Sequence, residues 1–261
     1  MANRHEETHP NENGDGDMSR QLPEALLYSQ LEDILDDVLA GKATPTDSAA
    51  KVAPLVVSQE DVSRAFDNFL APYFKAIESM ANEPSLTLLV DYIVALASLP
   101  DAYNEGPEPK KISIGGDEIK LINPGPELWL YSIGSPSSPE TAMAHWRNLN
   151  TYLAFLQKNR KAQDIPVLSG TVRLALRALP MALEHSPEAR LGKNAELHAP
   201  AAAQWLRLAG DEIDELCAER NERMVAGDLW VAKGGSDVCD LARLQFWKER
   251  LPQVLLDGDS V

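Results

Sequence analysis

Cysteine is scarce in this sequence: only Cys217 and Cys239 occur among 261 residues. Two thiols exclude a disulfide-stapled scaffold and a four-cysteine zinc site. They read more simply as two small buried side chains in a reducing compartment. Long apolar runs are missing too, and none approaches the roughly 18 residues that a membrane span requires. The opening stretch MANRHEETHPNENGDGDMSR has no apolar h-region and too much acid for a transit peptide. A cytoplasmic or nuclear protein that is not secreted is therefore expected. Basic residues are outnumbered, 24 Lys+Arg against 40 Asp+Glu, for a formal charge of −16. That balance predicts no nucleic-acid and no membrane partner, because phosphate and anionic lipid both demand concentrated Lys and Arg.

Linear catalytic motifs are absent as well. There is no GxSxG elbow, no GxGxxG or GxxxxGK[ST] loop and no HExxH pair. Gly234-Gly235-Ser236-Asp237 reads as a loop leading to a helix cap rather than a phosphate cradle. Asp33, Asp36 and Asp37 share a helix face, as magnesium-binding aspartates do, but no second ligand cluster accompanies them, so they read as a solvated acidic face. No metal and no cofactor is predicted. Catalytic residues are unknown from sequence, and the candidates are His145, the usual general acid/base type near neutral pH, with Arg147 beside it.

What is present is helical periodicity. With 44 % hydrophobic and 25 % charged residues, the composition is that of a globular chain. Apolar residues at three- and four-residue spacing predict helices over 23–40, from about 61 with Ser58 as cap, over 85–99, from 138, and over 171–183, 200–219 and 237–256. Gly41 is a natural stop for the first, and Pro72 and Pro180 predict a kink or break. Between 100 and 139 lie seven of the 18 prolines. Residues 111–122 alternate about Gly115-Gly116 and predict a small β-hairpin. The expectation is an all-α fold: an irregular bundle of about seven to nine helices with one small β-hairpin insertion. It would comprise a disordered acidic tail (1–20), one helical domain (21–256) with a possible subdivision near 100–138, and a short C-terminal tail (257–261).

Two asymmetries remain. Residues 1–130 hold 9 basic and 23 acidic side chains, whereas 131–261 hold 15 and 17, so the acidity belongs to one end. All five tryptophans except Trp129 lie in that second, near-neutral half: Trp146, Trp205, Trp230 and Trp247. Each sits in an apolar or helical stretch, as a core plug or as pocket lining.

The segments GPELWLYSIG (125–134), HWRNLNTYLAFLQ (145–157), AAAQWLRLAGDEI (201–213) and AGDLW…LARLQFWKERL (226–251) together resemble a filamentous-fungal family, DUF3632. The matching positions are Trp129; Trp146, Asn148, Leu149, Asn150 and Tyr152; Trp205; and Phe246, Trp247, Lys248 and Arg250. The resemblance implies a mainly helical, intracellular fungal protein and brings no activity with it. Two functions stay open. One is a non-catalytic protein-interaction module with a basic protein partner, or a homo-oligomer. The other is a small-molecule enzyme or binder, for instance in fungal secondary metabolism, with a Trp-lined apolar pocket and His145 and Arg147 as anchors.

Overall fold

The structure, a computed structural model, describes residues 23–80, 82–100, 102–103, 111–112 and 138–258. The acidic tail, Trp129 and most of 100–138 lie outside the described residues. Eleven α-helices occur among those described. In chain order they are α1 (Glu24–Leu39), α2 (Pro45–Val57), α3 (Val62–Ser79), α4 (Glu83–Ala97), α5 (Pro139–Lys158) and α6 (Arg160–Gln163), then α7 (Ala175–Leu183), α8 (Ala195–Leu208), α9 (Gly210–Glu219), α10 (Asp228–Ala232) and α11 (Leu241–Gly258). Short 3-10 turns at Thr171–Leu174 and Gly192–Asn194 lead into α7 and α8.

The helix count exceeds seven to nine for identifiable reasons. α2 is an unpredicted helix, although Thr44 caps it by accepting from Asp47 N at 3.1 Å and Pro45 stands at its first position. Ser58 ends α2 instead of starting α3, whose cap is Asp61, accepting from Arg64 N at 3.0 Å. The single helix expected over 200–219 is two, parted where Ala209 leaves helical geometry at φ −122° and ψ 30°. Pro72 and Pro180 do not break their helices. Each removes one backbone bond, and the loss is offset by the buried neighbours on both sides, Phe69 and Tyr73 in one case, Leu179 and Leu183 in the other. The last helix starts at Leu241 because Asp237 and Val238 are engaged elsewhere: Asp237 O accepts from Met224 N at 2.8 Å, and Val238 bridges Arg223.

The hairpin expected over 111–122 is not seen. Lys111–Ile112 pairs antiparallel with the upstream Ala102–Tyr103, in the register Ala102↔Ile112. The stretch between these strands thus contains Pro107 and Pro109, which cannot donate to a ladder, and not Gly115-Gly116. Residues 113–122 lie outside the described residues.

Helix α5 is the centre of the architecture. It packs on α3 and α4 to one side and on α8 to the other. The first four helices form one layer, with α1 on α3 and α2 on α4; α7, α8 and α11 form the opposite layer. One continuous buried cluster runs through both, from Leu27 to Val254. Sequence spacing explains its first element: Leu27, Leu31, Leu35 and Val38 all face inward, while Asp33 and Asp36 are exposed on the far face. Gly41, at φ +68°, closes α1 in the left-handed conformation that favours glycine.

Candidate functional site

Ser138 fixes the start of α5 by accepting from Thr141 N at 3.2 Å, with Pro139 first in the helix and Glu140 in its acidic first turn. The capped helix delivers the 145–152 segment to the middle of the molecule. Asn148, Asn150 and Tyr152 are buried there; Asn148 and Tyr152 join α5 to α3, and Asn150 joins it to α8. Asn148 Nδ2 donates to the Glu78 carbonyl at 2.7 Å. That carbonyl lies in the last turn of α3, where backbone acceptors have no partner within their own helix. Asn150 Nδ2 donates to the Trp146 carbonyl at 2.8 Å, and its Oδ1 accepts from Trp205 Nε1 at 2.7 Å, which ties in α8. Tyr152 shares a 2.9 Å hydroxyl contact with Tyr73, whose own hydroxyl donates to the Leu89 carbonyl at 2.7 Å in α4. Burial pushes both phenols above the ordinary tyrosine range, so they act as neutral hydrogen-bonding groups.

At the outer end of this segment lie two pairs of titratable or polar side chains, His145 with Glu78 and Trp146 with His198. His145 Nδ1 lies 3.8 Å from Glu78 Oε2, outside hydrogen-bond reach yet close enough to pair when the imidazole is protonated. Burial raises the Glu78 carboxyl above its usual value. Trp146 meets His198 edge to face, with ring centroids 5.7 Å apart, and burial pushes the His198 imidazole down to about 4. Among the described residues, His145 Nδ1, Trp146 Nε1 and His198 Nδ1 are shut off from solvent without a hydrogen-bond partner. Arg147 is engaged with its neighbour, donating from Nε and Nη2 to Asn148 Oδ1 at 3.2 and 3.0 Å. These side chains can take up a proton or meet a polar ligand.

The other predicted residues divide by face. Trp247 is fully buried on α11 and donates to Glu184 Oε1 at 2.6 Å. Phe246 packs on Trp230, whose indole donates to the Ser236 carbonyl at 3.0 Å. Lys248 reaches Asp214 at 2.7 Å on the surface. Arg250 turns outward, with Nη1 on Gln253 at 2.9 Å. The indoles of Trp205, Trp230 and Trp247 are thus each hydrogen-bonded within the protein, and they fill the interior beside α8 and α11. Two surface hollows lie elsewhere: one of about 310 Å³ between α10 and α11, and one of about 180 Å³ between α1 and the start of α3.

Sequence reasoning missed the most heavily bonded group among the described residues. Glu184, at the end of α7, and Arg243 on α11 are both fully buried. Arg243 donates to the Glu184 carboxylate from Nε at 2.6 Å and from Nη2 at 2.8 Å. Its Nη1 donates to the carbonyls of Met224 at 2.9 Å and Asp237 at 3.1 Å, and the guanidinium lies over the Trp247 ring. Glu184 Oε2 also accepts from Gly227 N at 2.8 Å, an approach so close that a Cβ at Gly227 would collide with Glu184. The available signal was Arg243 at i−4 from Trp247, on the inward stripe of its helix. Among the described residues, no group of three or more His, Cys, Asp or Glu could hold a metal ion, and no helix is long and apolar enough to cross a membrane.

A family model described as "Protein of unknown function (DUF3632)" matches residues 74–251. No curated protein and no solved structure matches the chain.

Proposed function

The chain belongs to the DUF3632 family, and we propose that it is a non-catalytic helical module that binds a basic protein segment through its acidic first layer. One observation carries this reading. Residues 23–100 contain twelve carboxylates and four basic side chains, and three of those four are already paired: Lys42 with Asp37, Arg64 with Glu24, Lys75 with Glu32. Asp33, Asp36, Glu60 and Asp67 are left as an exposed negative surface. Such a field accelerates encounter with a positive partner and is screened by salt. The buried polar residues of the 145–152 segment support the same reading, because Asn148, Asn150 and Tyr152 are committed to joining helices.

The test is affinity capture from native lysate of the source organism at low salt, with the Asp33→Lys/Asp36→Lys variant in parallel. A stoichiometric basic partner is expected, with an association rate that falls as salt rises and falls again in the variant. No stoichiometric partner, or a partner indifferent to charge reversal, refutes the reading.

The three unpartnered nitrogens near Trp146 favour a second reading, small-molecule binding with His145 as a polar anchor. Native mass spectrometry distinguishes it: a co-purified small molecule lost in Trp146→Phe supports it, and a bare chain counts against it.

A further inference from the structure

We propose that the hollow between α10 and α11 is a binding site for a small amphipathic carboxylate, an organic anion carried on an apolar body. Phe246, Arg250 and Gln253 follow one another at i, i+4 and i+7 on α11 and form one wall. Leu229, Ala232 and Lys233, from α10 and its C-terminal end, form the other. The floor is apolar, since Phe246 is only 7 % exposed and is held from behind by Trp230 at a centroid distance of 5.3 Å. The volume, about 310 Å³, is at the lower end for small-molecule sites.

Charge selects the ligand. Two cations border the hollow. Lys233 Nζ stands 5.4 Å above the centre of the Phe246 ring. Arg250 spends Nη1 on Gln253, while its Nε is shut off from solvent and, among the described residues, has no acceptor. Neither cation has a carboxylate within ion-pair distance among the described residues. The one acid in the lining, Glu249, accepts from Gln245 Nε2 at 3.0 Å on its own helix. A ligand carboxylate faces the Arg250 guanidinium edge and Lys233, while its apolar body covers Leu229, Ala232 and Phe246. A cationic ligand would meet two like charges, and a neutral one would forgo the attraction of both cations. This site lies on the layer opposite the acidic surface of α1 and α3, so the two proposals stand separately.

The experiment is equilibrium dialysis of the full chain against 2-naphthoate, with neutral 2-naphthalenemethanol as the isostere. Saturable one-to-one binding of the acid is expected, with about tenfold weaker binding of the alcohol, the scale of one charge-assisted hydrogen bond. Arg250→Met and Lys233→Met, both surface changes that keep the stem, are expected to weaken the acid about five- to tenfold and leave the alcohol unchanged. The Asp33→Lys/Asp36→Lys variant is expected to bind the acid normally. Absence of saturable binding at millimolar naphthoate overturns the proposal. Equal affinity for acid and alcohol, or unaltered binding in both Met variants with native circular dichroism, overturns it equally.

Discussion

Replacing Glu184 by Gln changes one atom type at the centre of the C-terminal layer, and its cost can be reasoned from four contacts. The carboxylate accepts from Arg243 Nε, Arg243 Nη2, Trp247 Nε1 and Gly227 N, and both charged side chains are wholly inaccessible to water. All four partners are donors. A glutamine presents an NH₂ group on one side whichever way it is flipped, so one pair of donors must face another donor. The guanidinium also loses its counter-charge in a site without solvent. Removing one member of a buried ion pair costs about 3–5 kcal/mol, within which each unsatisfied buried donor accounts for about 1–3 kcal/mol. That is a large share of a domain stability of roughly 5–15 kcal/mol. Arg243→Met should cost a similar amount, because it strands the carboxylate and frees the Met224 and Asp237 carbonyls.

The double variant Glu184→Leu/Arg243→Met separates pair energy from packing. It removes both charges together and should cost at least about 2 kcal/mol less than the sum of the single changes. It should not recover fully, since Gly227 N and Trp247 Nε1 still lack an acceptor. Urea unfolding followed by far-ultraviolet circular dichroism and tryptophan fluorescence measures all three. Single losses below about 1 kcal/mol, or effects additive within about 0.5 kcal/mol, would refute the account of Glu184 as the clamp of this layer.

Two further outcomes are expected. His198 is held neutral by burial, with its value depressed from 6.5 to about 4. The unfolded chain therefore takes up a proton at higher pH than the folded one, so this contribution is complete above 6.5 and is lost as pH falls toward 4. At ~1.4 kcal/mol per pH unit the loss is about 2–3 kcal/mol. Glu78, whose value burial raises, acts in the opposite sense. The comparison is therefore wild type against His198→Phe, in urea melts from pH 7 to 4. A pH slope unchanged in the variant would contradict the assignment. The thiols of Cys217 and Cys239 are both buried and free, and desolvation pushes Cys217 up to about 12 and Cys239 in the same direction. Neither should react with iodoacetamide at pH 8 in the native protein, and both should react in 6 M guanidinium; rapid native labelling of either would show that the C-terminal layer opens.

Helix identity was legible in the sequence wherever one face carried the whole signal. The stripe Leu27, Leu31, Leu35, Val38 needed no partner to be recognised, and neither did the Ser138-Pro139-Glu140 start of α5. Boundaries were less legible. Pro72 and Pro180 argue locally for a break, and Ala209, an ordinary helix former, argues against one; tertiary packing reversed both. For the candidate site, His145, Trp146 and Asn150 could be picked out by residue type, but their roles could not. Neighbours along the chain, they diverge in space: one toward Glu78, one toward His198, one toward Trp205.

By itself the sequence determined the class of structure and the placement of charge, because helix periodicity, caps and net charge are local or additive properties of the chain. Only the tertiary structure decided which polar residues are structural and which are free to bind. Glu184 and Arg243 are 59 positions apart, and nothing local distinguishes them from solvated residues. Their character comes from burial against each other, where a charge survives only with its partners in place. Arg250, two turns beyond Arg243 on the same helix, has no carboxylate partner among the described residues and borders an apolar hollow instead.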